Sequence, residues 1–302
     1  MKLSFYAGLF ATSLCLSSAV AATPPIASKL SMSEVLQKSQ PGDWRTLDAE
    51  NTLYLELASG RVVMELAPHY APKHVANIKT LVREGYFDGL SILRVQENYV
   101  VQWGDPDEKN PRPMKQGLRK LAEEFTVKAS KEQGFVALPD KDGYAPQVGY
   151  ANGMPAALDA KAGRAWLAHC YGMLGVGRDV ATDSGSGAEL YVVIGHAPRH
   201  LDRNVTLVGR VIQGMPLLTT LPRGTGPLGF YEKPEQYVAI KSVKMAADLA
   251  PEQRSKLEIL KTDSAIFKVA VAALRNRGGD WYKVPAGHVE LCNIPLMVRE
   301  QK

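Results

Sequence analysis

Apolar and polar residues alternate in two adjoining runs. Residues 52–57 place Leu53, Leu55 and Leu57 on one face, and residues 61–66 place Val62, Met64 and Leu66 on one face. A period of two predicts strands, and the Ser59-Gly60 turn between them predicts a β-hairpin. The period then changes. Pro72 stands where a first helical residue would, Val75, Ile78 and Val82 recur at helical spacing, and Gly85 follows as a C-terminal cap. Strand composition returns over residues 91–102, 166–176, 189–194, 206–211 and 237–243, with a short helix over 215–221. Many strands with few helices, and no βα alternation, predict a mainly β sandwich or barrel.

Three stretches stand outside this pattern. Residues 106–165 are rich in Pro and charge and predict an irregular insertion with one short helix at 118–125. After Asp248 the pattern turns helical. Pro251 opens a segment with Leu257 and Leu260 on one side, and Thr262-Asp263-Ser264 caps a second helix through Leu274. At the other end, Lys2 precedes an uncharged run to Ala22 that closes on Ala19-Val20-Ala21. The apolar part, residues 5–16, is too short to span a bilayer. A positive start, a short apolar run and a small-x-small site predict a secretory signal peptide over residues 1–21, against the alternative of a buried N-terminal helix. Cys15 lies in that run behind Ser13-Leu14, a poor lipoprotein context. The expected organisation is a signal peptide (1–21), an N-terminal extension (22–50), a main domain (51–247) and a C-terminal extension (248–302). The expected location is a bacterial periplasm, with no membrane span after cleavage.

Composition narrows the field. The 302 residues are 45% hydrophobic and 22% charged, which is globular rather than disordered. A net charge of +5 makes no case for nucleic acid. Three Cys exclude a disulfide-stapled scaffold and a four-Cys zinc site. His196 and His200 are separated by Pro198, so their spacing does not place them on one helix face, and no metal is expected. Ser186 lacks a nucleophile elbow, and Gly175-x-Gly177 is too short for a dinucleotide fingerprint. With the leader removed, Cys170 and Cys292 remain. They either pair, tying the tail to the main domain, or stay as two buried thiols.

An ordered set of short motifs carries a resemblance. It comprises residues 60–66, Ala71-Pro72, Asn77, Leu81, Gly85-Tyr86-Phe87-Asp88-Gly89, Arg94-Val95 and Gln102-x-Gly104-Asp105. Then come Gly172-Met173-Leu174, Glu189-Leu190-Tyr191, Leu201-Asp202 and Val208-Gly209-Arg210-Val211-x-x-Gly214-Met215. In this order, over residues 52–246, the chain resembles the cyclophilins. The resemblance implies a closed eight-stranded antiparallel barrel capped by two helices, at 71–84 and 214–221. It also implies peptidyl-prolyl cis-trans isomerase activity with no cofactor, on proline-containing segments of exported proteins.

The resemblance further implies site residues. Arg94 matches the family's catalytic arginine, and Gln102 matches the glutamine that binds substrate backbone. Tyr99, Tyr191 and Leu201 fall on proline-pocket positions. Glu189 stands where glutamine is common, and His200 where some members carry the tryptophan that helps bind cyclosporin. Leu93 replaces the usual histidine, Val205 replaces a second pocket histidine or aromatic, and Trp103 replaces a glycine beside Gln102, where an indole would crowd the groove. The wall from Gly177 to Gly187 is about two residues longer than usual. Retained Arg94 and Gln102 point to an enzyme; the replacements point to a non-catalytic peptide-binding module or chaperone.

Overall fold

The computed structural model describes residues 30–107, 109–278 and 281–301. The expected signal peptide and Cys15 lie outside the described residues. In chain order the first elements are α1 (Met32–Gln37), β1 (Trp44–Thr46), β2 (Thr52–Leu57), β3 (Gly60–Leu66), α2 (Pro72–Arg83), β4 (Ser91–Val95) and β5 (Val100–Gly104). There follow β6 (Val127–Lys128), β7 (Phe135–Ala137), β8 (Gln147–Ala151), β9 (Met154–Asp159), β10 (Arg164–Leu167), β11 (Met173–Val176) and β12 (Leu190–Val193). The last are β13 (Leu207–Gln213), α3 (Met215–Thr219), β14 (Val238–Met245), β15 (Leu257–Leu260), α4 (Ala265–Arg275) and β16 (Val298–Glu300).

Eight strands close an antiparallel barrel in the order β11-β12-β5-β4-β14-β2-β3-β13. The alternation explains its core: Leu53, Leu55 and Leu57 of β2 and Val62, Met64 and Leu66 of β3 all point inward. Helix α2 packs Val75, Ile78, Leu81 and Val82 against that core, and α3 adds Leu218. Gly85, at φ +73°, ends α2 in the left-handed conformation. Its N–H donates to the Val82 carbonyl and that of Tyr86 to Leu81, a Schellman close.

Residues 106–165 are more ordered than their composition predicts. Five strands there form a second sheet, β6-β10-β9-β8-β7, that runs on to Leu167. Its strands are short and its buried positions include Ala156, Ala157 and Ala165, which carry little β signal. The β8–β9 turn is Asn152-Gly153, both at positive φ (51° and 88°), the chemistry that a tight two-residue hairpin requires. The helix expected at 118–125 does not form. That segment runs in irregular conformation along α2, where its polar groups find tertiary partners. The Leu118 N–H donates to Asn77 Oδ1, and the Glu124 carboxylate accepts the N–H groups of Lys73 and His74 at the start of α2. The single strand expected over 166–176 is two strands, β10 and β11, in different sheets.

The C-terminal extension is mixed rather than helical. Ser264 caps α4 by accepting from the Phe267 N–H, but 257–260 is strand β15, between β1 and β16. Leu257 and Ile259 face one apolar cluster and Leu260 another, so the three-residue spacing of two leucines reflects burial on both faces of a strand. The N-terminal extension, the inserted sheet and the tail share a second core. Val35, Trp44, Tyr150, Trp166, Phe267 and Leu291 lie in it, against Met173 and Leu207 of the barrel. Cys170 and Cys292 are joined by a disulfide (S–S 2.03 Å) that links the turn before β11 to this extension.

Candidate active site

Strands β4, β5 and β12 build the site on the outer face of the barrel. On β5, Val101 and Trp103 point into the core, so Val100 and Gln102 point out. Trp103 is only 1% exposed and fills the barrel interior; it does not crowd the groove. A register shift between Ile92 and Arg94 breaks the β4–β5 ladder and sets Arg94 directly opposite Gln102.

Arg94 is held from several sides. Its Nη1 donates to Gln102 Oε1 at 3.0 Å, its Nε to the Leu228 carbonyl at 2.7 Å, and its Nη2 to Gln96 Oε1. The Tyr99 and Phe230 rings lie 5.5 and 5.3 Å from the guanidinium carbon. Burial lowers the Arg94 pKa and the nearby Tyr99 works against that, but a guanidinium keeps its charge at neutral pH. Gln102 in turn donates from Nε2 to Glu189 Oε2 at 2.9 Å.

An apolar patch adjoins these polar groups. Tyr191 pairs with Gln102 across β12–β5, and Val193 with Val100. Val100, Tyr191 and Val193 are buried together, with Tyr99 and Val205 half-buried against them. The Tyr191 ring lies over Gly175, where an added Cβ would sit 2.3 Å from it. Leu201 is half-buried in the 3₁₀ turn Arg199–Leu201, and its carbonyl accepts the Val205 N–H. His200, in the same turn, is exposed. The wall opening at Gly177 is braced by Arg178, whose Nε donates to the Asn204 carbonyl.

Residues 52–245 match the family model of the cyclophilin type peptidyl-prolyl cis-trans isomerase/CLD, which covers well over half of the chain. The chain belongs to the cyclophilin family. Among solved structures, cyclophilin AquaCyp293 from Hirschia baltica is similar over 89% of this chain and 98% of its own, at 25% identity and a TM-score of 0.68. That likeness extends beyond the barrel. A probable peptidyl-prolyl cis-trans isomerase of Brucella suis is 52% identical over 58 residues, 19% of this chain and 30% of that protein. Peptidyl-prolyl cis-trans isomerase ppi1 of Schizosaccharomyces pombe is 42% identical over 52 residues, 17% of this chain and 34% of that protein. The chain thus spans about a third of the length of these curated relatives.

In this cyclophilin the fold brings Arg94, Gln102, Tyr99, Tyr191 and Glu189 to one face. It adds Gln96, Leu228 and Phe230, which the motifs did not select. Gln96 lies two residues after Arg94 on the same strand path, a spacing that could have flagged it. Leu228 and Phe230 arrive from a distant Gly- and Pro-containing run, residues 224–230, that lies outside every motif above. Among the described residues no group of three or more His, Cys, Asp or Glu is placed to hold a metal, and no helix is long and apolar enough to cross a membrane.

Proposed function

We propose that this chain is a peptidyl-prolyl cis-trans isomerase that assists the folding of exported proteins. Rotation about a peptide bond faces a barrier of about 18–20 kcal/mol from amide resonance. No bond breaks, so the reaction needs neither nucleophile nor metal. It needs a surface that binds the twisted amide better than either planar form. The patch of Val100, Tyr191, Val193 and Val205 would grip the proline ring, with Gln102 on the substrate backbone. Arg94 would donate to the twisted amide nitrogen, whose lone pair is then localised. The observation that carries this reading is the state of Arg94. Three of its five N–H donors are spent on Gln102, Gln96 and Leu228, which fixes the guanidinium plane and leaves two for a substrate.

Export is supported by the short apolar N-terminal run with its small-x-small site, and by a disulfide, which suits an oxidising compartment such as the periplasm. Leu93 and Val205, where cyclophilins commonly carry polar or aromatic groups, favour a second reading as a peptide-binding module without turnover. An isomerisation assay on short X-Pro peptides separates the two. Wild type is expected to accelerate the cis-trans step, and Arg94→Ala to lose on the order of 10²-fold in kcat/KM. Wild-type turnover no faster than that of Arg94→Ala would sink the isomerase reading.

A further inference from the structure

We infer that Asp142, in the segment inserted between β5 and β11, positions the walls of the proline pocket through a buried hydrogen-bond chain ending on the Tyr191 hydroxyl. The inference rests on the proline-pocket reading above. From the insertion, the Asp142 carboxylate accepts both Nη groups of Arg199, at 2.9 and 3.0 Å. Arg199 Nε donates to Asp202 Oδ2 at 2.6 Å. Asp202 Oδ1 accepts the His169 backbone N–H and lies 2.9 Å from His169 Nδ1. His169 Nε2 lies 2.9 Å from the Tyr191 hydroxyl.

Proton placement along the chain follows from charge. Burial alone would raise the Asp202 pKa, but the bond from His169 and the charge of Arg199 hold it below the usual carboxylate range. It is therefore an anion and an acceptor only, so His169 Nδ1 carries the hydrogen between them. Burial lowers the His169 pKa more than Asp202 restores it, so the imidazole is neutral and its Nε2 is an acceptor. The Tyr191 O–H must then donate to His169, pointing away from the pocket while its ring faces Val100 and Val193. One arrangement of hydrogens satisfies every link.

The chain ties two parts of the pocket to the inserted sheet. One is Tyr191, whose ring lies over Gly175 and whose hydroxyl is held by His169. The other is the turn preceding Asp202, where Leu201 holds Val205 by a backbone bond. The side chains of His169, Asp202, Arg199 and Asp142 are 0%, 4%, 6% and 10% exposed. In so dry a setting a weakened link is not replaced by water, and its neighbours reorient. The Arg199 fork is set by bidentate pairing with Asp142, so losing that charge frees the guanidinium plane that orients Asp202. Arg94 and Gln102 are not in the chain. Peptide affinity should therefore respond while the chemical step does not.

The test uses the full chain carrying Asp142→Asn, Tyr191→Phe and both together. The dissociation constant for a short Ala-Pro peptide is read by NMR titration, alongside kcat and KM for its isomerisation and the thermal midpoint. Asp142→Asn is expected to raise the dissociation constant and KM about 10-fold with kcat within about twofold. The double variant should be no worse than the weaker-binding single, because both cut one chain. A lowered midpoint with unchanged peptide affinity would reduce Asp142 to a purely structural role and overturn the inference. So would single effects that multiply in the double. Wild-type binding without turnover would sink the isomerase reading and leave the affinity comparison decisive. Wild type that does not bind the peptide would overturn both.

Discussion

His200 shows how one side chain can separate two properties of a shared site. By the motif resemblance it stands where some cyclophilins would present an indole to cyclosporin, and it is exposed on the turn that carries Leu201. An imidazole has less apolar area than an indole and does not offer the same N–H in the same place. The isomerisation proposed above would draw on Arg94, Gln102 and the apolar patch, none of which depends on residue 200. Cyclosporin is therefore expected to bind about 10²-fold more weakly than to a cyclophilin with tryptophan there, with His200→Trp recovering part of the loss in a titration. Tight binding by wild type would mean that the pocket is built from other residues.

Among the elements, the turn Ala168–Gly172 joins two systems. It ends β10 of the inserted sheet and leads into β11 of the barrel, and it presents His169 to the Tyr191 hydroxyl and Cys170 to the tail. The Cys170–Cys292 bond closes a loop of 122 residues. Loop-closure entropy assigns such a bond about 5 kcal/mol, and measured values usually fall below that. Cys292→Ser is expected to lower the free energy of unfolding by about 2–4 kcal/mol in denaturant titration, with reduction of wild type giving a similar loss. Equal midpoints for oxidised and reduced protein would show that packing of Leu291, Ile294 and Met297 into the second core holds the tail unaided. The barrel should be the last part to open, because its strands pair around a closed circuit while β1, β15 and β16 form an open three-stranded sheet.

Across the whole molecule, buried ionisable groups set the response to acid. His169 faces Asp202, Tyr191 and Arg199, with His200 nearby, and its pKa lies below the ordinary 6.5, chiefly through burial. The unfolded chain then takes up that proton first, so stability should fall as pH drops from about 6.5. Asp202, Glu124 and Asp140 behave as carboxylates with depressed pKa values. Burial opposes each shift, but bonds from His169, His74 and Arg275 respectively outweigh it. Their stabilisation is complete above the ordinary values of 3.8 and 4.5 and is lost as pH falls below them. Denaturation midpoints against pH should therefore decline in two stages, near 6.5 and below about 4.5, each group contributing at most about 1.4 kcal/mol per pH unit. A midpoint flat from pH 7 to pH 5 would show that His169 does not respond.

What was legible in the sequence was local. The Leu53–Leu55–Leu57 and Val62–Met64–Leu66 alternations, Pro72 with Gly85, and Ser264 before α4 each state a conformation through neighbouring residues, because strand period and cap chemistry act over a few positions. The motif order also assembled Arg94, Gln102 and Tyr191 in one family pattern. What only the tertiary structure decided was long-range. Leu257–Leu260 reads as helix until β1 and β16 flank it, and the alanine-rich strands of the inserted sheet acquire their pattern only when stacked. Trp103 lies next to Gln102 in the chain yet faces the opposite side, because β5 lies in a closed barrel with one face dry. The partners of Arg94 at 228 and of His169 at 191 and 202 come together because leaving a polar group unbonded away from water is costly, so most find a bond wherever in the chain the donor or acceptor happens to be.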